Sequence, residues 1–415
     1  MRFLTFVFAA IFSLHLSAQV GQNLVTHISF DKNGCEVVDE GSDPEIKVFT
    51  SGDDACGCGI VGNARYFDGD GDWFYLFGNR VEDVLTTKDF SLSFYFKATT
   101  SSAANQSLFS KRDSCASNGG FAIRYNPASR SLGVELNESA TISSSITKTL
   151  PFSCWYHVVV IRKGGLLSLY VNKSKLGETN AGTIRVNITN SSQLTIGSDN
   201  CNVTDDFEGY IDEIRLYNRA ISLQDVEDLY FSPNQIATGL KSTGVNDTMI
   251  FLGGYVPVEL SSTCATLFSW TPTDDVTTPN IPNPIISPAN EGTYTYTVEM
   301  TDTENCVSTD SLRIKVIDPT TVKCGDILLP SAFTPNGDGL NDRYGISNPF
   351  ATGELISFEI FDRWGNLVFF TDDVFGRWDG SFKGEPVNPA VFLYKVRYRC
   401  EGEEYVKSGS VTVLR

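Results

Sequence analysis

The stretch "FDGDGDW" at 67–73 places Asp68, Asp70 and Asp72 on alternate residues of a Gly-rich turn. Such carboxylates are hard oxygen donors of the kind that hold Ca²⁺. A fourth acid, Asp212 in "FEGYIDEIRLY" (207–217), shares strand parity with Ile214 and Leu216. If those two face a core, so does the carboxylate, and a buried carboxylate needs a cation or several N–H donors. Two readings stand. In one, Asp68, Asp70, Asp72 and Asp212 share a structural calcium. In the other, Asp212 accepts backbone hydrogen bonds and the 68–72 run is a solvated turn. A second oxygen-rich stretch, "FTPNGDGLND" at 333–342, carries Asn336, Asp338, Asn341 and Asp342. It lacks the terminal Glu of an EF-hand, and Gly337 and Gly339 suit a tight turn of positive φ capped by Asx side chains.

Other residues bear on ligand binding and catalysis. Trp73 and Tyr75 follow the acidic turn and could stack on a sugar ring. Trp155 and His157, in "WYHVVV", read as core or sheet residues. Glycoside hydrolysis needs two carboxylates facing across a cleft. Asp212 and Glu213 are adjacent and point to opposite faces of a strand, and with Glu208 they lack the spacing of a retaining pair. No G-x-S-x-G elbow occurs, and His27 and His157 are the only histidines beyond the N-terminal stretch. The sequence is therefore read as non-enzymatic.

The elements that must position these residues are mostly strands. "FSLSFYFK" (90–97) alternates Phe90, Leu92, Phe94 and Phe96 on one face. "WYHVVVIRKGGLLSLYVN" (155–172) reads as a hairpin around a Lys163-Gly164-Gly165 turn, its first strand apolar on both faces. One helix stands out at 222–231, with Ser222 as N-cap and Asp225 three residues on. Composition shifts divide the chain near 235 and 320. At 415 residues and a net charge of −18, the chain is too long for one typical domain and too acidic for a nucleic-acid partner. Residues 1–18 have the layout of a secretory signal peptide cleaved after Ala18, and no other segment is apolar enough to span a bilayer. All ten cysteines lie beyond that cut and read as disulfides. Cys264–Cys306 and Cys324–Cys400 would each fall within one domain.

Three resemblances follow. "GNARYFDGDGDWFYL", "FSLSFYFKA", "WYHVVVIRKGGLLSLYVN", "LTIGSDN" and "FEGYIDEIRLYNRAIS", in that order, resemble the LamG-like, concanavalin-type jelly roll of the laminin-G/pentraxin superfamily, over 19–235. The resemblance implies two packed antiparallel sheets, binding of a glycan or protein, and a raised expectation of calcium. "FSWTPTDDVTTPNIPNPIISPANEGTYTYTVEM" and "DSLRIKV" resemble PKD-like, immunoglobulin-type sandwiches over 236–319, implying a spacer. "LLPSAFTPNGDGLNDRYGI", "ISFEIFDRWGNLVFF" and "GRWDGSFKGEPVNPAVFLYKVRYRC", with Trp364 and Trp378, resemble the gliding-motility-associated C-terminal domain over 320–415. That domain is the B-type sorting signal of the type IX secretion system of Bacteroidetes. The expectation is an all-β, three-domain exported protein, released or held at the outer surface. Its expected partners are the secretion machinery and a glycan or surface protein, with no nucleic acid and no transmembrane segment. A structural matrix component and a polysaccharide-degrading enzyme are the alternatives.

Overall fold

The computed structural model describes residues 21–414 apart from 33, 42–46, 54, 114–118, 200–204, 243–244, 262, 319–326 and 336–341. The signal-peptide stretch 1–18, the division near 320, and Asn336, Asp338 and Asn341 lie outside the described residues.

The chain is all-β in three blocks. The first is a sandwich of two eight-stranded sheets. One sheet runs Ser174–Asn180, Leu166–Val171, Tyr156–Lys163, Phe90–Ala98, Glu208–Tyr217, Asn63–Asp68, Cys56–Cys58, with Leu24–Ile28 also paired to Glu208–Tyr217. The other runs Ser143–Thr149, Ser131–Asn137, Gly120–Asn126, Gln106–Arg112, Leu194–Ile196, Trp73–Phe77, Lys47–Ser51, with Asp205–Asp206 parallel to Gln106–Arg112. The alternation of "FSLSFYFK" is realised. Phe90, Leu92, Phe94 and Phe96 enter the core between the sheets, where Phe94 meets Phe109 at 4.5 Å between ring centres. The hairpin forms as read, with Lys163 opposite Leu166 across Gly164-Gly165. The helix is shorter than its sequence pattern, Leu223–Asp228, and carries the full capping box of Ser222 and Asp225.

The central strands of the first sheet are buried on both faces, for different reasons. Val158 and Val160 point into the main core, whereas Val159 and Ile161 pack with Tyr217, Val226 and Leu229 beneath the helix. The strand apolar on both faces is thus explained by a cover on each side.

The second block is a five-stranded sheet, Leu240–Ser242, Val245–Phe251, Val307–Ile317, Gly292–Asp302, Ala265–Thr271, with a small ribbon of Val256–Pro257 and Ile285–Ile286. Trp270, Tyr296, Val298 and Ile314 fill its core. The third is a five-stranded sheet, Ala332–Phe333, Glu403–Val413, Ala390–Cys400, Glu354–Phe361, Leu367–Thr371, with the ribbon Ser381–Phe382/Glu385–Pro386. Phe358, Ile360, Phe392 and Val396 meet around Trp378. Ile356, which alternates with Phe358 and Ile360 in the sequence, does not join them. A register shift between Leu355 and Ser357 puts Leu355 in its place.

The disulfides correct the sequence reading. Cys264 and Cys306 do not pair with each other. Cys58–Cys264 and Cys154–Cys306 each tie the jelly roll to the middle block, and Cys35–Cys56 closes within the jelly roll. Cys400 is disulfide-bonded, while Cys115, Cys201 and Cys324 lie outside the described residues. A buried ion pair, Lys97–Asp302, joins the same two blocks, and Tyr210 donates to Glu304 at 3.3 Å. The block expected as a spacer is therefore clamped against the outer side of the first sheet.

Candidate functional site

Asp212 sits on that covered side. The parity argument that sent it into the main core fails at Glu213, which adopts φ +53 in a bulge between Asp212 and Arg215. The extra residue reverses the alternation: Ile211 and Ile214 both face the main core, and Asp212 faces the opposite way beside Tyr95, on the same side as Glu213 and Arg215, so the two acids expected on opposite faces share the covered one. Its Oδ2 accepts from the backbone of Ile60 at 2.7 Å and of Val61 at 3.3 Å. The turn carrying those donors comes close because residue 59 is Gly: a Cβ there would lie 2.5 Å from Asp212 Oδ2. Burial, seconded by the Glu213 charge, raises the Asp212 carboxyl to about 8 despite its backbone donors. It is a neutral acid at pH 7, lying under the loop whose Cys58 reaches Cys264.

Glu213 answers burial differently. Burial alone would raise its carboxyl, but His27 Nε2 at 3.0 Å and the paired Arg215 outweigh that and hold it below the usual range. Beside it, His157 is fully buried, bonded to Ser93 at 2.9 Å and stacked on Tyr95 at 4.4 Å. Burial, then Arg215, lowers it to about 3, so it stays neutral. Trp155 is buried with Ile60, Ala64 and Tyr95. Both are structural residues, as read.

The four proposed calcium ligands are not brought together. Asp68 pairs with Glu208, and Asp212 lies four residues further along that strand. At about 3.3 Å per residue the two are about 13 Å apart. Asp72 is buried and accepts from the backbone of Asp53 and Asp68, both at 3.0 Å, while Asp68 Oδ1 caps Asp70 at 2.8 Å. Burial raises the Asp72 carboxyl. The run is a self-bonded turn, and no group of three or more His, Cys, Asp or Glu among the described residues is placed to hold a metal ion.

The second sheet is different on its outer side. Phe74 and Leu76 point inward, so Trp73, Tyr75 and Phe77 point out. Phe49 on the neighbouring strand stands opposite Tyr75. The four rings form a contiguous strip: Trp73–Tyr75 at 5.5 Å, Phe49–Tyr75 at 5.3 Å and Phe49–Phe77 at 5.3 Å, all near parallel. Phe49 is half exposed, at 50%. Further across the same face Arg124 donates to Glu135 at 2.9 Å. The sequence singled out Trp73 and Tyr75. Phe77 was available from the same alternation, and Phe49 was not, because nothing local says which strand will lie beside Tyr75.

In the third block the motif residues part company. Trp378 is a core pillar whose Nε1 donates to Ser381 at 2.8 Å, and its backbone pairs with Tyr344. Trp364 is 76% exposed at a turn held by Asp362, and Asp342 lies at the edge of the described stretch.

Comparison with known families agrees with this geometry. Residues 327–413 match the CHU_C type IX secretion signal domain. That signal places the chain in the medium or at the outer surface. Residues 68–227 match the concanavalin A-like lectin/glucanases superfamily. The chain thus combines a concanavalin-like domain with a type IX secretion signal. No helix among the described residues is long and apolar enough to cross a membrane. Among solved structures, domain 4 of the arabinanase AbnA from Geobacillus stearothermophilus, in complex with arabinotriose, is 18% identical (TM-score 0.39; 50% of this chain, 98% of that one). A botulinum neurotoxin type C structure, described as needing two ganglioside molecules for cell entry, is 13% identical (TM-score 0.44; 95% and 94%). A carbohydrate-binding module of a Ruminococcus gnavus sialidase, with sialyllactose, is 13% identical (TM-score 0.33; 37% and 88%). No curated protein matches the chain.

Proposed function

We propose that this chain is an exported glycan-binding protein that holds its ligand on the open face of the second jelly-roll sheet. The observation that carries the reading is the strip of Phe49, Trp73, Tyr75 and Phe77. Flat, rigid aromatic side chains offer large contact area at low entropic cost and suit the apolar faces of sugar rings. The first sheet offers no such surface, because the helix and the middle block cover it. The middle block, read from sequence as PKD-like, then acts as a fixed backing for the jelly roll. A binding rather than hydrolytic role is supported by the acids of the Glu208–Tyr217 strand. Asp212 and Glu213 are buried and occupied by the protein's own groups.

The test is a glycan array probed with the mature chain, with and without chelator. Specific retention on a glycan class is the expected result. Retention should survive chelation, because the four acids proposed for calcium are not gathered. Release of reducing sugar from a retained polysaccharide would turn the reading to hydrolysis, and an array with no hits would remove it.

A further inference from the structure

The clamp between the first two blocks creates a cleft of about 360 Å³. Its jelly-roll wall is built by Thr99 and Thr100, by Arg130 in the turn after Gly120–Asn126, and by Phe152. Its other wall is the turn of Glu304 and Asn305 in the middle block. The Cys154–Cys306 disulfide lines the cleft and holds the two walls together. Neither block encloses this space alone, so the site exists only in the clamped pair.

The chemistry of the lining is specific. Phe152 is 66% exposed, although it stands directly beside a cavity. Arg130 makes no ion pair among the described residues. Across from it, Glu304 accepts from Tyr210 and keeps a carboxylate at the wall. Lys97, the other cation nearby, is consumed by Asp302. The hydroxyl of Thr99 is buried with no hydrogen-bond partner. A second cavity of about 270 Å³ shares Phe152 and Cys154 and lies on the other side of the same staple. Phe152 therefore stands between two adjoining hollows.

We propose that this junction is a second binding site, for a neutral saccharide of about two sugar units. An exposed ring in a mixed-polarity hollow is the arrangement that takes one face of a sugar. One guanidinium and one carboxylate on opposite walls leave no excess charge. An anionic ligand would meet Glu304 and a cationic one Arg130, whereas the hydroxyls of a polyol answer the guanidinium, the carboxylate and the Asn305 amide together. The volume falls within the small-ligand range. The proposal shares its ligand class with the reading above, but it does not depend on the aromatic strip.

The experiment is isothermal titration of the mature chain with cellobiose, maltose, laminaribiose and xylobiose, and with a glucuronic acid-containing disaccharide as charged comparator. The variants are Phe152→Ala, Arg130→Ala and, for the strip, Trp73→Ala. Phe152 and Arg130 are exposed, so these variants keep the fold. At least one neutral disaccharide should bind the parent chain. Phe152→Ala should weaken that binding about tenfold or more, in the parent and equally in the Trp73→Ala background, where the strip no longer contributes. The proposal is overturned if no neutral disaccharide of the set binds, if Phe152→Ala binds like the parent, or if the charged disaccharide binds better than the neutral ones. Array binding lost in Trp73→Ala but kept in Phe152→Ala would uphold the strip reading whatever the titration gives.

Discussion

The two sheets of the jelly roll present opposite outer faces. On the first, Ser93, Tyr95, Lys97, His157, Asp212 and Glu213 are all buried, and each has a protein partner: Ser93 and His157 bond each other, Tyr95 donates to the Leu229 carbonyl, Lys97 pairs with Asp302, Asp212 accepts from the backbone of Ile60 and Val61, and Glu213 meets His27 and Arg215. On the second, Phe49, Trp73, Tyr75 and Phe77 stack with one another and remain partly open to solvent. The difference teaches that buried ionisable side chains here mark a face covered by the same chain, whereas the stacked rings mark one that is left partly open. The covered face is rich in ionisable groups because its cover comes from the same chain, and the open face is rich in what water leaves unsatisfied.

The comparison breaks most directly at the staples. Cys58–Cys264 and Cys154–Cys306 span 206 and 152 residues. On the chain-entropy account each contributes about 5 kcal/mol at most. The paired variant Cys154→Ser/Cys306→Ser should lower the denaturation midpoint of the first two blocks and open them to limited proteolysis near 235. Unchanged stability and protection would show that the covered face does not depend on the clamp.

A somewhat smaller loss is expected from Lys97→Ala, which leaves Asp302 buried without its cation. Removing one partner of a buried pair costs about 3–5 kcal/mol. Chemical denaturation measures it, and a loss below about 1 kcal/mol would mean the junction is wetter than the structure places it.

The covered face should also give the chain its pH dependence, with two groups acting in opposite directions. Asp212 is raised to about 8 in the fold from an ordinary value of 3.8. The native state keeps a proton that the unfolded chain releases, so this contribution falls as pH rises from about 4 to about 8 and then levels. His157 is lowered to about 3 from 6.5. The unfolded chain gains a proton there that the native state refuses, so its contribution falls as pH drops from about 6.5 toward 3. Asp212→Asn keeps an acceptor for Ile60 and Val61 and should flatten the alkaline side alone. Denaturation at about pH 5 and about pH 8 in the parent and the variant checks this. A parent curve flat between those points would contradict it.

Much of the fold was legible. Strict alternation in "FSLSFYFK", the Gly-Gly hairpin and the Ser222 capping box each rest on local chemistry, and each appears in the structure. What was not legible depended on non-local events. A single non-glycine residue at positive φ, Glu213, inverted the facing of Asp212, and no local pattern announces a bulge. The disulfide pairing crossed a block boundary, because sequence spacing carries no information on which surfaces dock. Of the candidate site, half the aromatic strip could be named, and Phe49 waited on knowing the strand order. The Asp68–Asp72 run looked like a metal loop because a turn that bonds its own backbone uses the same residue types.

The smallest expected effect on stability belongs to the strip, and the largest on binding. The double variant Trp73→Ala/Tyr75→Ala, compared with the mature parent on the same glycan surface, tests the central claim most directly. These side chains are half-buried and lie outside the main core, so melting should shift less than in the junction variants. Retention on the glycan should fall by about tenfold or more. Retention equal to the parent's, with the fold intact, would contradict the assignment of binding to the second sheet.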